Sequence, residues 1–136
     1  MKIFTSYYAK VHKLQEADII IVSISLGNPG WTNILYKMKE LAPTGENLKI
    51  GRAGDTQTYT KNFKEMLSLL NKDDIKTRLK EISQENDGMD VALCCYETPK
   101  SFCHRYLVAE WLEGEFIEEF DNEDSKSIRE FQRKFW

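Results

Sequence analysis

The stretch Cys95-Tyr-Glu97-Thr-Pro99-Lys-Ser101-Phe-Cys103-His104-Arg105-Tyr106 puts thiols, a carboxylate, an imidazole and a guanidinium within twelve residues. Cys95 and Glu97 are two apart, so on an extended strand they share a face. Cys103, His104 and Arg105 open an amphipathic run with apolar Leu107, Val108, Trp111 and Leu112. That places them in the first turn of a helix, where free main-chain N–H groups and the helix dipole attract anions. A thiol in such a place has a stabilised thiolate and can act as a nucleophile. A carboxylate beside it can serve as general base or hold the guanidinium. Glu97 and Cys103 are therefore the catalytic candidates, and Cys95, His104 and Arg105 the ligand-binding ones. For each there is a plainer structural role. Cys103 can pack the turn, His104 can cap it, and Arg105 can pair with Glu97 or Glu110.

The elements that must position this group can be read from the flanking pattern. Val91-Ala-Leu-Cys94 is an apolar run, so Met89–Tyr96 is predicted to be a buried strand. Lys2–Tyr8 and Ala17–Ser25 are predicted as two earlier strands, the second apolar enough to be buried on both faces of a parallel sheet. Apolar Trp31, Ile34, Leu35, Met38 and Leu41 predict a helix ending before Pro43. Residues 44–58 are polar and Gly-rich and are predicted to form a mobile loop, with Arg52 a solvated member of it. Two amphipathic helices follow, one carrying Tyr59, Phe63, Met66, Leu67 and Leu70, and one capped by Asp73 or Asp74 with Ile75, Leu79 and Ile82 on its face. Glu115–Phe120 reads as a weak strand, and Ser127-x-x-Glu130 as a capping box before Phe131, Phe135 and Trp136.

Alternating strands and helices predict a single α/β domain over residues 1–136, a mainly parallel three-layer sheet with helices on both faces. Ligands of such sheets bind beyond the carboxyl ends of the strands. That rule adds Thr5, Ser6 and Tyr7 from the first strand, and Ser23 and Ser25 from the second, to the ligand-binding candidates. It also gathers all of them at one crevice.

Composition narrows the function classes. The chain has 136 residues, enough for a proper core, and its 41% hydrophobic and 30% charged residues give an ordinary soluble balance. A net charge of −3 with interspersed signs lacks the basic stripe of a nucleic-acid binder. No signal-peptide pattern opens the chain and no apolar run is long enough for a membrane, so a cytoplasmic protein is expected. Three cysteines are too few for a stapled scaffold, and a Cys95–Cys103 disulfide is not expected in a reducing compartment.

The pattern Leu93-x-Cys95-x-Glu97 followed by Cys103-His104-Arg105 resembles the family called domain of unknown function 488. Met1-Lys-Ile-Phe-Thr5-Ser-Tyr-Tyr8 looks like its opening strand, and Leu41-Ala-Pro43 and Val108-Ala-Glu-Trp111-Leu are similar to one branch of it. The likeness covers most of the chain and is specific at its two ends, with about residues 44–90 generic. It implies a fold and a site, not a reaction.

Several chemistries are set aside by spacing. Six residues after Cys95 stands Ser101, and six after Cys103 stands Ala109, so the Cys–Arg phosphatase loop is absent. There is no P-loop and no dinucleotide glycine fingerprint. Cys95, Cys103 and His104 could supply three metal ligands. No Cys-x-x-Cys knuckle supports them, and the only other histidine, His12, falls in a predicted loop, so no metal and no cofactor are expected. What remains is an anion-binding crevice at the junction of the third strand and the following helix, for a nucleotide or other phosphorylated small molecule. It would be either catalytic or a non-catalytic module that senses or sequesters the ligand. A homodimer is compatible with the aromatic C-terminal stretch.

Overall fold

In the computed structural model the described residues are 1–97, 103–112 and 118–119. They form a sheet of order β3-β2-β4-β1-β5 in which every pairing is parallel. The strands are β1 (Ile3–Tyr7), β2 (Ile20–Ser23), β3 (Tyr36–Lys37), β4 (Val91–Cys95) and β5 (Glu118–Glu119). The helices are α1 (Val11–Glu16), α2 (Gly45–Arg52), α3 (Thr56–Ser68), α4 (Lys72–Glu85) and α5 (His104–Trp111). The α/β architecture expected from the alternation is the observed one. β4, buried at all five positions, lies between β1 and β2, where a continuous apolar run belongs.

Register divides the side chains into two faces. Ile3, Thr5 and Tyr7 of β1 align with Val91, Leu93 and Cys95 of β4, and Ile20 and Val22 of β2 align with Val91 and Leu93. This face carries the larger core, with Phe63, Leu67, Ile75, Leu79, Ile82, Leu107 and Val108 from α3, α4 and α5. Phe4 and Ser6 align with Ala92 and Cys94, and Ser23 aligns with Cys94. That second face packs a smaller core with Tyr8 and, from α1, Val11 and Leu14.

Four local expectations are corrected. The helix predicted over Trp31–Leu41 is instead a stretch holding β3 and a 3-10 turn at Lys39–Leu41. Ile34, Tyr36 and Met38 turn inward while Leu35 and Lys37 are exposed, a period of two that the apolar spacing concealed. The segment 44–58 is not a loop. Thr44 accepts from Asn47 N–H to cap α2, Asp55 accepts from Thr58 N–H to cap α3, and Gly54 at φ 93° turns the chain between them. Its caps and terminating glycine give it a loop-like composition. Asn71, rather than Asp73 or Asp74, caps α4 through Asp74 N–H at 3.1 Å. His12, expected in a loop, lies on α1.

Of the extension predicted over Glu115–Phe120, Glu118 and Glu119 pair with β1. The rest of it, the Ser127 capping box, and Phe131, Phe135 and Trp136 lie outside the described residues. Among the described residues no helix is long and apolar enough to cross a membrane.

Candidate thiol site at the junction of β4 and α5

The site is built where β4 ends and α5 begins. Cys95 is the last residue of β4 and is fully buried. Cys103 is the N-cap of α5, with extended φ and ψ of −141° and 142°, and its side chain makes no capping bond. A Ser, Thr, Asp or Asn would ordinarily satisfy a free N–H there. Here the sulfur turns elsewhere: the Sγ atoms of Cys103 and Cys95 meet, across a Cα separation of 7.7 Å. The two sulfurs are thus brought into contact, but their Cα separation exceeds the roughly 4.4–6.8 Å that a disulfide spans, so the contact does not make the pair a disulfide. Parallel pairing of β1, β4 and β2 sets the end of β4 beside the start of α5, and the compartment argument carries no information about that.

Arg105 is buried completely, unusual for a guanidinium. Its Nη1 donates to Cys95 Sγ at 2.9 Å and to the main-chain oxygen of Glu97 at 2.6 Å, and its Nη2 donates to Tyr106 Oη at 2.9 Å. The guanidinium also lies 4.6 Å from the Tyr106 ring centre and 5.8 Å from that of Tyr7. Arg105 and Glu97 therefore meet through the main chain. The Glu97 carboxylate instead accepts from Cys103 Sγ at 3.5 Å, and Glu97 is the exposed member of the group.

His104 is buried and edge-on to Phe63 of α3, with ring centres 5.4 Å apart. Its Nε2 lies 2.5 Å from the main-chain oxygen of Ile24 and its Nδ1 lies 3.7 Å from Cys103 Sγ. A carbonyl can only accept, so Nε2 carries the proton and Nδ1 presents its lone pair to the sulfur. Burial, reinforced by the Arg105 charge and opposed by the bond to Ile24, pushes the imidazole down to about 4. At neutral pH it is uncharged. Burial also raises the Tyr59 phenol on α3, and the charge of Glu97 adds to that.

The structure thus brings Cys95, Glu97, Cys103, His104 and Arg105 together, with Tyr7 near them and Thr5 buried on the same face of β1. It places Ser6, Ser23 and Ser25 apart. Ser6 and Ser23 flank Cys94 on the opposite face, and Ser23 and Ser25 bond to Tyr8 Oη at 2.8 and 2.5 Å. Ser23 also donates to Asn28 Oδ1 at 2.5 Å, and Ser25 to the main-chain oxygen of Gly27. Burial raises the Tyr8 phenol against these bonds. Arg52 is exposed in the last turn of α2. Two participants escaped the sequence reading. Tyr106 follows the recognised triplet, but nothing in its identity says that its hydroxyl turns back to Arg105. The Ile24 carbonyl that orients His104 is main chain and leaves no mark in residue types.

Fold and site together define a parallel α/β protein whose central strand delivers a thiol to a second thiol, an imidazole and a guanidinium at a helix start. The family model described as the Active DUF488-N3 subclade matches residues 31–116, more than half of the chain, and the chain belongs to this domain of unknown function 488 family. The match takes in β4, α5 and every residue of the thiol site from Cys95 to Tyr106. No curated protein and no solved structure matches the chain.

Proposed function

We propose that the junction of β4 and α5 binds an anionic small molecule, a nucleotide or another phosphorylated metabolite, in a reduced, cytoplasmic setting. One observation carries this reading: a buried guanidinium fixed beside the N-terminal turn of α5, at the carboxyl end of the central parallel strand. A helix start and a fixed cation add their fields at the place where open α/β sheets receive ligands. Arg105 acts here as a positioned charge, because its contacts to Cys95, Glu97 and Tyr106 hold it in the wall. Overall charge does not indicate nucleic acid as the ligand.

A second reading, turnover by Cys103, is favoured by one specific feature. Its sulfur lies between two potential proton acceptors, His104 Nδ1 at 3.7 Å and the Glu97 carboxylate at 3.5 Å. A non-catalytic binder needs no such flanking of a thiol.

Native mass spectrometry of the chain purified from cells, followed by calorimetric titration with inorganic phosphate, AMP and ADP, tests the proposal. A co-purifying phosphorylated metabolite, or saturable binding of one of these probes, is the expected outcome. Absence of both at millimolar ligand overturns the anion reading. Hydrolysis or transfer that disappears in Cys103→Ala while binding persists selects the catalytic form.

A further inference from the structure

We propose that, with its thiols reduced, the chain holds a divalent zinc ion on Cys95 Sγ, Cys103 Sγ and His104 Nδ1, with Glu97 at the fourth position. The three thiol and imidazole ligand atoms all lie within 4.8 Å of one another, and all three residues are buried. Tetrahedral zinc with bonds of about 2.0–2.3 Å has ligand-to-ligand edges of roughly 3.3–3.8 Å. Cys103 Sγ to His104 Nδ1 is 3.7 Å and Cys103 Sγ to the nearer Glu97 oxygen is 3.5 Å, so two edges already have that length. The sulfur pair is the edge that must open to admit an ion. Its Cα separation of 7.7 Å is wider than the roughly 4.4–6.8 Å that disulfides span, so the backbone allows the two sulfurs, now in contact, to be rotated apart around an ion.

The surroundings are those of a ligand set. His104 donates its Nε2 proton to the Ile24 carbonyl, the outer contact that orients a ligating imidazole and leaves the other nitrogen open. Arg105 donates to Cys95 Sγ, as a donor to a ligating thiolate would. Charge closes as well. A dication with two thiolates, a carboxylate and a neutral imidazole carries one negative charge, and Arg105 beside it supplies one positive charge, so the set as a whole is neutral, with the Glu97 charge at its exposed edge. Two sulfurs with a nitrogen select zinc over calcium or magnesium, which prefer oxygen. Glu97 is exposed, so the fourth position is the one an incoming ligand could take.

This inference stands on the ligand geometry and not on the anion reading. It competes with the nucleophile reading, because a zinc-bound thiolate is not a free one. The test uses the reduced full-length chain without a histidine tag, stripped of metal and titrated with cobalt(II) and then zinc. Saturation at about one ion per chain is expected, with a thiolate-to-cobalt charge-transfer band and the visible absorption of a tetrahedral site. Cys95→Ser and Cys103→Ser should abolish the band, Cys94→Ala should keep it, and Glu97→Gln should weaken affinity about 10–100-fold. A cadmium-113 resonance of the wild-type chain coupled to the β protons of Cys95 and Cys103 makes the assignment even where a variant fails to fold. No charge-transfer band and no retained zinc in the reduced wild-type chain would overturn the inference, as would an undiminished band in folded Cys95→Ser. Phosphate titration of the metal-free chain is read separately, so failure of one proposal leaves the other standing.

Discussion

Cys94 and Cys95 are neighbours in sequence and equally buried, yet they belong to different chemistries. Cys95 faces α5, where it meets a second sulfur and a guanidinium. Cys94 faces α1 and lies within bonding reach of the Ala92 carbonyl of its own strand, at 3.6 Å. Around Cys95 stand charged and ligating groups; around Cys94 stand the hydroxyls of Ser6, Ser23 and Tyr8. One face of the sheet end is an electrostatic site and the other is a neutral hydroxyl network. What separates them is the alternation of a single strand. A buried cysteine is therefore read from what its face delivers to it, not from its burial.

The largest effect that sharpens this contrast is expected at Arg105. Arg105→Ala removes the donor that the Tyr106 hydroxyl, the Glu97 carbonyl and the Cys95 sulfur share in a dry setting; at about 1–3 kcal/mol per buried acceptor, it should cost about 3–5 kcal/mol in urea unfolding. A loss under about 1 kcal/mol would mean that the guanidinium does not organise the site.

Next in size is a pH effect confined to the same face. The His104 imidazole drops from its ordinary 6.5 to about 4 on folding, so the unfolded chain binds the proton more readily. Stability is then full above about pH 6.5 and falls as the pH drops toward 4, by about 3 kcal/mol from this residue. Urea midpoints at pH 7 and pH 4 should show the loss, and His104→Gln should reduce it. An NMR titration of His104 with a midpoint near 6.5 would contradict the burial argument.

Smaller effects belong to the hydroxyl face. Tyr8→Phe leaves Ser23 and Ser25 without the phenol and should cost about 1–2 kcal/mol with no change in phosphate affinity. A parallel drop in affinity would join the two faces functionally. Smallest is Ser6→Ala. The buried Ser6 hydroxyl has no hydrogen-bond partner among the described residues, so its removal should be neutral or stabilising by less than about 1 kcal/mol. Weakened ligand binding in Ser6→Ala would instead show that this hydroxyl serves the ligand.

Much of this contrast is legible in the sequence, and its limits have physical causes. The apolar run of β4, the two-residue step from Cys95 to Glu97 and the helix opening at Cys103 place the thiol site directly. The rule of strand ends also places Ser6, Ser23 and Ser25 correctly along the sheet. It is silent on face, because face depends on register between strands far apart in sequence. The role of Arg105 as a wall charge is hidden for a similar reason, since its partners include a sulfur and a carbonyl that no residue-type argument ranks as acceptors. The misread helix over Trp31–Leu41 shows the converse: apolar residues at 34, 38 and 41 fit a helix, while pairing of β3 with β2 decides for a strand.

The measurement closest to the central claim is a phosphate titration of the reduced chain followed by amide resonances on both faces. The account predicts saturable shifts at His104, Arg105 and Tyr106, with Ser23, Ser25 and Tyr8 unmoved. Shifts confined to the hydroxyl face, or none at either face at millimolar phosphate, would contradict it.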